Sequence, residues 1–226
     1  MTALLSFHAP GFWLVVSLLC LLAVTVAQPF LPGRWRSLLL LAVWLGVPYL
    51  ALISGGVSPR LMGLRYLDWG ATFRLGAGIL LAVIALAALA RLMTAVAPGS
   101  TQPARTVTLS ALLPMIGWSG AEEFHWCFWR GGLWELVLLA GAPLGVPAYW
   151  AVWLAALVNL PFVFALQPNG WLRIVKAAAL MVTTVAFFYT GNFWLCWLIH
   201  TVMWGLLAPV VVVSSAQSQS RVTTKT

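Results

Sequence analysis

The chain has 226 residues, is 62% hydrophobic and only 7% charged, and carries a net charge of +8 from twelve Lys and Arg against four Asp and Glu. Several apolar runs of transmembrane length at this composition exclude a soluble globular fold and predict an all-α, polytopic helical membrane protein with about seven transmembrane helices. No basic cluster sits on a soluble domain, which excludes nucleic-acid binding; the lipid bilayer is the expected first partner.

The first run, from Gly11 to about Pro32, has no basic region before it and no small-residue cleavage site after it, so a retained helix is expected rather than a removable signal peptide. Further spans are predicted at roughly 38–54, 74–95, 108–139, 146–166, 174–190 and 192–213, which makes residues 1–213 a single integral membrane domain followed by a polar tail, 214–226, expected to be disordered. As one helix, segment 108–139 would be about 48 Å long against a bilayer core of about 30 Å. It is expected to tilt steeply or to break, with Gly117 and Gly120 as candidate break points.

Seven spans with the N-terminus outside place Arg34/Arg36, Arg91/Arg105, Arg173/Lys176 and Arg221/Lys225 in the cytoplasm, and the loop with Arg60, Arg65 and Arg74 is the exception. That is the topology of a multi-pass protein of the cell inner membrane. Cys20, Cys127 and Cys196 each lie in an apolar run and read as packing residues. The fourteen tryptophans suit membrane interfaces.

Two of the four carboxylates, Glu122 and Glu123, are adjacent in the apolar stretch Ser119-Gly-Ala-Glu-Glu-Phe-His-Trp-Cys-Phe-Trp-Arg-Gly131. A carboxylate at membrane depth costs about 2.5–3.5 kcal/mol on insertion scales, so the pair needs a partner, a proton, water or a purpose. At 100° per residue Glu123 and Arg130 are nearly eclipsed, whereas Glu122 and His125 share an adjoining face. Arg130 can then hold one Glu ionised and leave the other to accept a proton as a general base; a buried ion pair that only fixes helix packing is the alternative.

His200, in the last span, is expected to face the pair across the bundle, and His8 to be interfacial. Glu122-x-x-His125 has the spacing of half a dinuclear carboxylate site, but a second Glu-x-x-His is missing from the chain, so no metal and no cofactor are expected. His125 is two residues from Cys127 and points about 200° away on a helix, which argues against a Cys127 nucleophile.

The order of these features resembles the CAAX prenyl protease and bacteriocin-processing (CPBP, or Abi) family of intramembrane endopeptidases. Leu61-Met-Gly-Leu-Arg-Tyr-Leu-Asp-Trp69 is similar to the family's Leu-Gly-Leu-Arg loop, and Glu122/Glu123 with Phe128-Trp-Arg-Gly131 to its Glu-Glu-x-x-x-Arg-Gly motif. Thr190-Gly-Asn-Phe-Trp-Leu-Cys-Trp-Leu-Ile-His-Thr-Val-Met-Trp-Gly-Leu206 resembles its last helix, and the likeness spans about residues 58–208. Arg130 comes three residues later than in the family pattern, Gln167 stands at the family's Phe-x-x-x-His histidine, and Trp204 stands at its final Asn.

The resemblance implies a metal-independent endopeptidase acting on a membrane-associated protein or peptide, in which Glu122 or Glu123 activates water. It further implies that Arg130 holds the neighbouring Glu, that Gln167 and His200 provide polar contacts to the oxyanion, and that His125 and Trp204 are accessory. Two other functions stay open on the sequence: an inactive family member that binds a membrane partner, and a proton-coupled transporter using the Glu pair.

Overall fold

A computed structural model describes residues 6–65, 67–96, 109–141, 144–167 and 169–207. The expected tail 214–226, together with Arg105, Arg221 and Lys225, lies outside the described residues. Over the described residues the protein is all-α, with seven helices when the one interrupted by a π turn is counted once. They are α1 (Pro10–Ala27), α2 (Gly33–Leu41) running through a π turn into α3 (Val47–Ile53), α4 (Trp69–Val96), α5 (Leu109–Leu139), α6 (Pro147–Leu166), α7 (Gly170–Thr190) and α8 (Phe193–Leu207).

Five of these helices are long and apolar enough to cross a membrane: Pro10–Phe30, Gly33–Ile53, Trp69–Leu89, Pro147–Leu166 and Gly170–Thr190. The outward side chains agree with this, since Leu81, Leu86 and Leu157 are 66%, 67% and 64% exposed, as suits a lipid-facing surface. The protein is therefore a multi-pass integral membrane protein. α8 is apolar but has only 15 residues.

α5 is continuous over 31 residues, about 46 Å at 1.5 Å per residue, with Pro114 in its second turn. The break expected at Gly117 or Gly120 does not occur. Gly117 has open space where a side chain would be, and Gly120 lets the Trp197 ring of α8 lie against the backbone. Gly120 serves close packing, Gly117 does not, and the helix continues through both.

Local sequence explains the remaining geometry. Pro48 has no N–H to bond the Trp44 carbonyl one turn back, and the ladder widens to a π turn over Ala42–Gly46, which turns Trp44 into the core against Trp118. Between α7 and α8, Gly191 takes a left-handed φ of 54° and donates its N–H to Phe187 O at 2.7 Å, closing α7. Asn192 then caps α8 by accepting from Trp194 N (2.9 Å) and Leu195 N (3.3 Å), while its amide donates to Thr72 Oγ1 of α4 at 3.1 Å. This tight α7–α8 hairpin packs on α5, with α6 on the other side of α5 and α7.

Candidate functional site

The core where α5, α7 and α8 meet is polar. From α5, Glu122, Glu123, Cys127 and Arg130 are buried; from α7, Lys176, Thr183 and Thr184; from α8, His200. A 3.6-residue period puts Lys176, Leu180, Thr183 and Phe187 in one stripe on the inner face of α7, while Ile174, Val185 and Tyr189 face outward.

Arg130 Nη1 donates to Glu123 Oε1 at 2.7 Å, and its Nη2 donates to Thr183 Oγ1 (2.9 Å) and Thr184 Oγ1 (3.2 Å). The Phe187 ring lies 5.3 Å from the guanidinium. The eclipsed Glu123–Arg130 pair expected on one helix is thus present, completed by two hydroxyls from α7.

Lys176 reaches Glu122 Oε2 with Nζ in a close ion pair, and the same nitrogen is 3.1 Å from His200 Nε2 and 4.0 Å from the centroid of Trp204. His200 Nε2 is 3.6 Å from Glu122 Oε2, and Nδ1 is 3.2 Å from Glu123 Oε2. Trp126 stacks on the imidazole at 4.7 Å with an interplanar angle of 2°. His200 therefore faces both carboxylates across the bundle, and Trp204 meets the cluster through its ring face.

Sequence reasoning missed Lys176. It was counted with Arg173 among the cytoplasmic loop charges, whereas it is buried two turns inside α7. Its place in the inner stripe, seven residues before Thr183, was the available signal.

His125 does not flank Glu122. The position one turn on from Glu122 in register is Trp126, and His125 turns to α1, where its Nε2 is 2.8 Å from Ser17 Oγ. Trp129 Nε1 donates to Ser17 Oγ (3.2 Å) and to His125 Nε2 (3.3 Å). The Glu122-x-x-His125 spacing accordingly yields no convergent ligand pair. Among the described residues no group of three His, Cys, Asp or Glu could hold a metal ion. His8, at the surface, has Nδ1 2.8 Å from Ser54 O.

A cavity of about 10 Å³ lies against Glu122, walled by Trp44, Trp126, Asn159 and Gln167 among others; it has room for one water. Gln167, just past the end of α6, thus reaches the site beside Glu122. Asn159, which the sequence did not single out, is buried in the same wall with its amide donating to Ala155 O at 2.8 Å.

Fold and site together define a class: a multi-pass helical membrane protein with a buried, charge-paired Glu–Lys–His–Glu–Arg cluster. Compared with protein-family profiles, with curated proteins and with solved structures, the chain matches none of them.

Proposed function

We propose that the protein is an intramembrane endopeptidase of the CPBP type that its motifs resemble, with seven membrane-crossing helices in the cell inner membrane. It hydrolyses a peptide bond of a membrane-associated protein or peptide with water activated by Glu122. The observation that carries this reading is the water-sized cavity against Glu122, the carboxylate that also lies 3.6 Å from His200 Nε2.

In this mechanism Glu122 takes a proton from the water as its oxygen attacks the carbonyl carbon; the C–N bond then breaks and the proton passes to the leaving amine. In this reading the amides of Gln167 and Asn159, residues of the same wall, donate to the developing oxyanion. Glu123, tied to Arg130, keeps His200 in position and is not the base. A peptide enters by displacement of the α6 C-terminal end, which covers the cavity with Leu166 and Gln167.

One contact favours a second reading: Lys176 engages the very carboxylate that would act as base, as suits a protein that binds a membrane partner without cutting it. Terminal proteomics of membranes from cells carrying the wild type, E122Q or E123Q separates the two. The hydrolytic reading expects protein termini that are present with the wild type and lost with E122Q, and an intermediate loss with E123Q. Identical termini in all three strains would leave only the binding reading.

A further inference from the structure

The hydrogen bonds around Lys176 can be assigned by donor count. An ammonium has three N–H donors and no acceptor, and Nζ faces three groups: Glu122 Oε2, His200 Nε2 at 3.1 Å and the Trp204 face at 4.0 Å. An aromatic face attracts a cation, so the third contact selects the ammonium over the neutral amine. His200 Nε2 must then carry a lone pair. The imidazole proton falls on Nδ1, which has an acceptor waiting in Glu123 Oε2 at 3.2 Å.

Trp126, parallel to the ring at 4.7 Å, holds the plane in which both nitrogens keep these partners. Two carboxylates, one ammonium and one guanidinium around a neutral imidazole make the cluster electrically neutral. The competing arrangement, an imidazolium between the two carboxylates with Lys176 as an amine, is also neutral. It relies on the longer contact, 3.6 Å from Nε2 to Glu122 Oε2, and places an uncharged amine on the Trp204 face.

We propose that Lys176 sets the proton arrangement of the cluster, serving as the counter-charge of Glu122 and holding His200 as the neutral Nδ1–H tautomer that accepts at Nε2. Lys176 is a positioning residue in this role. For hydrolysis the consequence rests on the reading above: the positive charge beside the base belongs to Lys176, and His200 has no proton to offer on that side. The proton arrangement itself holds whether or not the protein cuts a peptide.

The test is nitrogen NMR of ¹⁵N-histidine-labelled protein in lipid nanodiscs at neutral pH. The chain has three histidines, and H8Q and H125Q variants assign the His200 signals. In the wild type His200 is expected to show one protonated nitrogen, Nδ1, and one unprotonated nitrogen. In K176M two carboxylates face the ring with Arg130 as their only cation, and His200 is expected to become doubly protonated. In the charge-balanced double variant E122Q/K176M it is expected to return to a singly protonated ring.

A doubly protonated or Nε2–H His200 in the wild type overturns the proposal, and so does a K176M spectrum identical to the wild type. If K176M does not fold, the wild-type spectrum and E122Q/K176M still decide. The outcome is independent of the proteomic test, since the spectrum requires no substrate.

Discussion

Glu123 and Arg130 are both fully buried, and each is the other's main neutralising partner. Replacing one member of such a pair leaves a charge in low dielectric, so R130M is expected to destabilise the protein by roughly 3–5 kcal/mol. Thermal unfolding in detergent, followed by tryptophan fluorescence, measures this; E123Q/R130M is expected to recover much of the loss. Ser17 gives the contrasting case. It joins His125 and Trp129 and makes no contact with the ion pairs, so S17A is expected to cost about 1–3 kcal/mol through the polar groups left buried. The wild-type pattern of membrane-protein termini should remain, since α1 contributes no side chain to the ion pairs. The sequence made Glu123–Arg130 and His200 legible, because spacing on one helix fixes the first and an isolated ionisable ring in an apolar span flags the second. Lys176 was not legible as a site residue. A lysine near a span boundary has the same sequence signature whether it reaches the headgroups or turns inward, and only the inner stripe of α7 separates the two. His125 was misplaced because i and i+3 side chains diverge by 60°, enough for a neighbouring helix to claim one of them.

The elements around the site are held by backbone contacts that apolar patterning does not announce. Gly63 has a φ of 73°, its carbonyl accepts from Phe193 N at 3.0 Å, and a Cβ there would lie 2.4 Å from Gly191 O. The loop before α4 is thereby fastened to the first turn of α8, two turns from His200. G63A is expected to cost roughly 1–3 kcal/mol from the positive φ alone, and more from the clash with backbone that cannot step aside. A lowered unfolding temperature, together with loss of the wild-type pattern of termini, is the expected result. Gly117 predicts the opposite. It lies inside a continuous helix with open space around it, and G117A is expected to stabilise α5 by up to about 1 kcal/mol. A hinge at this position would instead make G117A impair function, so the same unfolding and proteomic measurements test the continuity of α5. The five long apolar spans were readable from hydropathy, since long apolar runs separated by Pro, Gly and Arg have few other solutions in a bilayer. The continuity of α5 was not readable. Glycine permits both a kink and a close approach, and the choice depends on Trp197 from another helix.

Across the whole molecule a group of arginines and the cavity lie at the same end. The last carbonyls of α6 have no intrahelical N–H to accept from, and three side chains satisfy them: Gln28 donates to Ala165 O at 3.0 Å, Arg36 to Leu166 O, and Arg173 Nε to Gln167 O at 2.9 Å. Two of these are cations at the negative end of the helix dipole, a favourable placement. Arg34 lies beside Arg36 in the first turn of α2. At the opposite end Glu135 accepts from Ser58 N at 2.8 Å and Asp68 caps α4 through Ala71 N at 2.9 Å, so two of the four carboxylates offset the arginines there. By the positive-inside rule this basic excess predicts that the α6–α7 turn faces the cytoplasm. Leu166 and Gln167 form part of the cavity wall beside Glu122, so the site sits beneath the end of α6 that this rule assigns to the cytoplasm. A cysteine at position 167 reports on both conclusions. Cys127 and Cys196 are buried and Cys20 is half-buried in α1, so the native background to a polar maleimide should be low. In Q167C the reagent is expected to label inside-out vesicles strongly and right-side-out vesicles weakly. Equal labelling from both sides would mean that the cavity connects through the bundle, and labelling only from outside would invert the topology and place the proposed cleavage on the outer face.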